Sequence, residues 1–162
     1  MELLENFVAC NAVAATSPNL KINKADNLTG LQIMFARKEI IHHVDVSLCL
    51  MKIFKILLRK LSNRKAVTQR LVRDLVHIME NSVGSQKDLL ATECANVCLN
   101  LCYETDNVEL LVDSGGIIPL TLFLNTPNNL ALQASAAGAL QSICFQSYGR
   151  CAVRDASNCI KS

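Results

Sequence analysis

An internal repeat constrains this chain more than any other feature of its sequence. Ala136-Ala137-Gly138-Ala139-Leu140-Gln141-Ser142-Ile143 can be laid on Cys94-Ala95-Asn96-Val97-Cys98-Leu99-Asn100-Leu101 at an offset of 42 residues, with small and apolar positions coinciding. Val153-Arg154-Asp155-Ala156-Ser157 follows Leu111-Val112-Asp113-Ser114-Gly115 at the same offset of 42. Val72–Met79 matches Ile117–Leu124 at 45, the extra three residues falling in Asn81–Asp88, where an insertion costs little. A fixed period of this size marks stacked supersecondary units, none of which buries its apolar side alone. A chain of 162 residues then holds one short array as a single domain, 1–162, and no second enzyme-sized domain.

Apolar spacing is helical nearly everywhere, and no segment of strict alternation flanked by hairpin turns occurs, so an all-α fold is expected. The expected helices are Glu2–Ala15, Leu28–His42, Val44–Leu61, Arg64–Glu80, Gln86–Cys102, Asn107–Asp113, Ile117–Asn125, Leu130–Phe145 and Gly149–Ala156. Thr16-Ser17-Pro18-Asn19 ends the first, because a residue before proline is pushed out of the α region. Asn81–Ser85, Asp113–Gly116 and Asn125–Asn129 are further breaks, Asn19–Asn27 is the expected exposed loop, and His42-His43 are expected to close a helix carboxyl end.

Asn107 through Ser157 resembles an armadillo repeat and the start of the next. It holds a short helix Val108–Val112, the turn Ser114-Gly115-Gly116, a second helix Ile117-Ile118-Pro119-Leu120-Thr121-Leu122-Phe123-Leu124, and a small-residue helix through Ala136–Leu140. The glycine pair supplies the sharp bend by which two helices cross steeply. Arg64–Glu104 resembles a degenerate copy, with Gln69-Arg70 where the glycine turn would stand, and Met1–Leu61 fits loosely. The resemblance implies a right-handed α-solenoid of armadillo-like (HEAT/ARM) repeats, a HEAT array and a plain bundle being the rival architectures. Its last repeat is incomplete from 149.

By the same resemblance the third helices line a groove holding an extended peptide or a partner domain, and the protein is a non-enzymatic adaptor or scaffold. Carried over by position, the groove residues are Asn96, Asn100, Gly138 and Ser142. Import adaptors of the family place Trp where Asn96 and Gly138 stand. This chain has no Trp, which argues against an aromatic ladder reading basic signals.

Other chemistries find little support. Asp113-Ser114-Gly115-Gly116 matches residues around a serine-protease nucleophile, but that chemistry needs a β-barrel framework with a His base and a buried Asp; a structural turn is the reading adopted. Cys94, Cys98 and Cys102 are spaced by four and share one helical face, a poor arrangement for pairing, and with no CxxC in the chain they read as small core residues and not metal ligands. No phosphate-binding glycine loop or clustered carboxylates appear, so no cofactor, metal or small-molecule substrate is expected, and no enzyme. Met1-Glu2-Leu3-Leu4-Glu5 is acidic where a signal peptide is basic, and no run of 18 apolar residues occurs. A cytoplasmic or nuclear protein with all eight cysteines reduced and no membrane span is expected.

Charge is unevenly spread. From Lys52 to Arg73 there are eight Lys and Arg and no acid, whereas Asp88 to Gly149 holds six acids and no Lys or Arg. Lys52, Lys55 and Arg59 share a helical face and are candidates for steering an acidic partner; the rival function is binding of nucleic acid or an anionic membrane surface through the whole Lys52–Arg73 cluster, which lacks the interleaved aromatics such surfaces use. Finally, Gly149–Ala156 reads as a first helix with none to complete its unit, and the charge-free helix Leu130–Phe145 is expected to expose apolar surface. That leads to an expectation of self-association through this end, or of a longer parent chain.

Overall fold

The computed structural model describes residues 24–36, 43–84 and 87–160. Among them every regular element is a helix, in the order α1 Lys24–Phe35, α2 Val44–Leu57, α3 Leu61–Arg64, α4 Gln69–Glu80, α5 Asp88–Leu101, α6 Thr105–Asp113, α7 Ile117–Leu124, α8 Leu130–Cys144 and α9 Ser147–Ile160. The expected helix Glu2–Ala15, His42 and the part of the expected loop before Lys24 lie outside the described residues.

Helix packing follows the apolar stripes. In α4 the residues Leu71, Val72, Leu75, Val76, Ile78 and Met79 are all buried, the i, i+3, i+4 spacing of a single face. Long helices α2, α5 and α8 lie side by side with α5 in the middle, α4 packs on α7, and α6 packs on α9. Within the groups α4 packs on α5 and α7 on α8, so like-placed helices touch like-placed helices. Cys94, Cys98 and Cys102 are buried along the inner face of α5 and just past its end at 0%, 0% and 2% exposure, and Cys98 Sγ lies 3.6 Å from Met79 Sδ on α4. Burial pushes all three thiols up, Cys98 to about 12.

The bend between α6 and α7 is 86°, and both glycines of its turn are required. Gly115 takes φ +83°, open to glycine without strain, while a β-carbon on Gly116 would lie 2.5 Å from Leu111 Cδ1. The preceding bend is made differently. Gln69-Arg70, expected in the turn, are the first residues of α4; Thr68 starts that helix, its Oγ1 accepting from Leu71 N at 3.3 Å. The expected single helix Arg64–Glu80 is therefore split into α3 and α4.

Other boundaries also differ from expectation. The expected loop Asn19–Asn27 is helical from Lys24, and the expected helix Val44–Leu61 stops at Leu57. His43 does not close a helix: it is the extended residue that starts α2, with Asp45 in the first turn where negative charge suits the helix dipole. At the other end α9 runs from Ser147 to Ile160, longer than Gly149–Ala156. Tyr148 ties it to α6 by donating to Asp113 Oδ1 at 2.7 Å, which holds the phenol above its ordinary pKa.

Helix carboxyl ends leave backbone carbonyls without intrahelical partners. Here side chains 43 residues apart supply donors at the ends of α2, α5 and α8 in turn. Arg64 Nη1 donates to Leu58 O and Arg59 O, Asn107 Nδ2 to Leu101 O, and Arg150 Nη1 to Cys144 O and Phe145 O, the first carbonyl in each set lying six residues back. Asn63 adds a donor to Leu57 O at 2.8 Å. Asn107, 3% exposed, also donates to Arg64 O at 3.0 Å, so one amide joins its own unit to the one before.

Candidate partner-binding face

Each of the three long helices leaves one stripe out of the core. On α2 it runs through Asp45, Cys49, Lys52 and Ile56; on α5 through Leu89, Glu93, Asn96, Asn100 and, just past the helix end, Tyr103; on α8 through Ala131, Ala134, Gly138 and Gln141. Contacts between helices show that these stripes adjoin. Lys55 Nζ sits 2.6 Å from Glu93 Oε2, with side chains 27% and 16% exposed. Asn100 Nδ2 donates to Lys55 O at 2.8 Å, a carbonyl in the last turn of α2. A β-carbon on Gly138 would lie 2.8 Å from Leu99 Cδ1. The stripes therefore form one surface, α2 at one side and α8 at the other.

The structure sorts the residues singled out from sequence. Asn96 and Asn100 stand half-buried on the α5 stripe, but one Asn100 N–H already serves to hold α5 to α2. Its carbonyl oxygen and second N–H remain for a ligand. Gly138 is half-buried where α8 lies against α5, and its missing side chain admits Leu99. Ser142 does not belong to the surface: it is 6% exposed and lies within the core packing of α8. Lys52 and Arg59 are exposed, whereas Lys55 is half-buried and paired.

The basic cluster is not a free block of positive charge. Lys55 faces Glu93, Arg64 Nε donates to Glu104 Oε1 at 3.3 Å, and Arg70 Nε donates to Asp74 Oδ2 at 2.7 Å. Two of these three acids come from the acid-rich segment, because stacking lays the basic unit against the acidic one. Glu93 Oε2 makes no hydrogen bond of good geometry although it is buried, so the pair with Lys55 is held by charge. Lys52, Arg59, Lys60 and Lys65 are the exposed cations left at the α2–α3 end.

Three features of the surface were not singled out from the sequence. Glu93 fixes Lys55; Tyr103 stands 57% exposed at the end of the α5 stripe; and Arg64 Cζ lies 5.7 Å from the Tyr103 ring centroid, a cation–π distance. Neither offset read from the sequence pairs them, since Lys55 and Glu93 are 38 residues apart and Arg64 and Tyr103 are 39 apart. Among the described residues no group of three or more His, Cys, Asp or Glu side chains is placed to hold a metal ion, and no single helix is long and apolar enough to cross a membrane. Two shallow depressions lie elsewhere: one of about 380 Å³ beside His77, Asn81 and Lys87, and one of about 560 Å³ between Arg64, Lys65, Glu104 and Asp106.

Comparison of the chain with protein-family models, with curated proteins and with solved structures returns no match.

Proposed function

We propose that this protein is a non-enzymatic interaction module, an armadillo-like α-solenoid that binds an extended peptide or a partner domain across the α2–α5–α8 surface. The observation that carries this reading is the continuous surface itself. Three side-by-side helices turn out stripes bearing amides, a tyrosine and small residues, and the surface is joined from unit to unit by Lys55–Glu93 and Asn100–Lys55. Amide side chains suit a peptide backbone, since each both donates and accepts. The solenoid reading rests on the 43-residue spacing of Arg64, Asn107 and Arg150 and on like-placed helices touching in turn.

Binding of an acidic surface through Lys52–Arg73 is the second reading. It is weakened by the pairing of Lys55, Arg64 and Arg70. Selection of a random peptide library on the immobilised chain tests the first. Peptides recovered should bind the wild-type chain and lose at least tenfold in affinity with Asn96→Arg, about 1.4 kcal/mol, while helicity is unchanged. Recovery of nothing, or of peptides indifferent to Asn96→Arg, speaks against the surface. Retention on a polyanion column that vanishes at modest salt would favour the second reading.

A further inference from the structure

Buried positions put the three long helices in register. Leu50 and Phe54 of α2, Cys94 and Cys98 of α5, and Ala136 and Leu140 of α8 are buried counterparts, 44 and then 42 residues apart. The same two steps carry Lys52 to Asn96 to Gly138, and Arg59 to Tyr103 to Phe145. Each row crosses the proposed surface from the α2 side to the α8 side, the second row just past the helix ends. None of the six residues is buried, and Tyr103 and Phe145 are 57% and 71% exposed.

Both rows change chemistry in the same direction. A cation at α2 gives way to a neutral polar side chain at α5 and to an uncharged, apolar position at α8. Lys52 and Arg59 join no ion pair among the described residues, because the acid of the α5 stripe, Glu93, is held by Lys55, while Asp45 on the α2 stripe lies two turns before Lys52. Helix α8 carries no charged residue at all. Leu99 lies in the space that a side chain on Gly138 would take, so the side toward α8 presents Leu99, Ala134 and Phe145.

We infer that the segment this surface takes is an extended peptide with a carboxylate side chain toward one end and a bulky apolar side chain toward the other. The carboxylate lies over α2 between Lys52 and Arg59, the peptide backbone crosses the amides of Asn96 and Asn100, and the apolar side chain rests against Leu99, Ala134 and Phe145. This rests on the proposed binding role and names the chemistry of its partner. Charge decides which end meets α2, since a carboxylate over the uncharged α8 would lose water and gain no counter-ion. Packed helix axes stand about 8–10 Å apart and an extended strand advances about 3.3 Å per residue, so the two anchoring side chains are about five or six residues apart.

Selection of a random peptide library on the immobilised full chain, read by sequencing, tests the inference. Recovered peptides should carry Asp or Glu about five or six residues from Phe, Leu, Ile or Met. On the chain with Lys52→Glu and Arg59→Glu, both exposed positions, helicity should be kept and the acidic position should turn to Lys or Arg while the apolar one stays. Peptides recovered on the wild type should bind that variant about tenfold more weakly or worse. Peptides that need Asn96 but lack the acidic–apolar pairing, or an acidic position that persists on the charge-reversed chain, overturn the inference and leave the binding surface standing. Recovery of nothing, or of peptides indifferent to Asn96→Arg, overturns the binding surface and this inference with it.

Discussion

Replacing Asn107 by alanine removes the amide that ties the α5 carboxyl end to the preceding unit. Asn107 is 3% exposed, and its Nδ2 donates to Arg64 O at 3.0 Å and Leu101 O at 3.2 Å. Each net hydrogen bond contributes about 0.5–1.5 kcal/mol, and a buried acceptor left bare costs about 1–3 kcal/mol. Both carbonyls keep one longer backbone partner, Val67 N for Arg64 and Glu104 N for Leu101, each at 3.3 Å, so the full orphan penalty does not apply. The expected loss is about 2–3 kcal/mol. In a domain of this size that lowers Tm by roughly 4–12 °C. Urea titration followed by circular dichroism reads it, with an unchanged slope showing that the extent of unfolding is the same. Asn96→Ala, which removes an amide from the open α5 stripe, should cost under about 0.5 kcal/mol. Equal losses for the two variants, or under about 0.5 kcal/mol for Asn107→Ala, would refute the reasoning that this amide joins the units.

Gly116→Ala should destabilise by about 1–3 kcal/mol, since its β-carbon would press on the buried Leu111; unchanged urea stability would mean that the turn is not tight. At pH 8 in the native protein Cys151, which is exposed, should be alkylated far faster than Cys98, whose thiol burial pushes up to about 12; equal rates would show that α5 opens freely. A double-mutant cycle of Lys55→Met with Glu93→Gln should give a coupling of about 1 kcal/mol, the upper end for a partly exposed pair, and zero coupling would detach α2 from α5 electrostatically.

The repeat offset made the relation between α4/α5 and α7/α8 legible before any coordinates, and the glycine pair announced the 86° bend. Both depend on local chemistry: small residues at close helix contacts, and a backbone conformation open to Gly115. The clamps at Arg64, Asn107 and Arg150 were hidden because an Arg, an Asn and an Arg do one job from equivalent positions, and side-chain identity does not repeat even though its target carbonyl does. Pairing of Lys55 with Glu93 was hidden for another reason. It depends on the helical phase of two segments as well as their offset, so the segregation of charge along the chain gave the opposite impression of two separated poles.

Ser142 shows the limit of position-by-position transfer. It aligns with Asn100, whose amide reaches the Lys55 carbonyl on α2, but Ser142 itself is 6% exposed, inside the packing of its helix. Likewise His43 read as an end when it is a beginning, since Val44 and Asp45 start α2 immediately after it. On the proposed surface this sorting leaves Asn96 and Asn100 on α5 and the exposed Lys52 and Arg59 at the α2 end, joined by Tyr103, open to solvent.

Hydrogen exchange of the chain with and without a peptide selected on it tests the proposed surface most directly. The account predicts new protection in the stripe-bearing parts of α2, α5 and α8, around Lys52, Asn96–Tyr103 and Ala134–Gln141, with α4 and α6 unchanged. Protection centred on α4 and α6, with α5 unaffected, would contradict it.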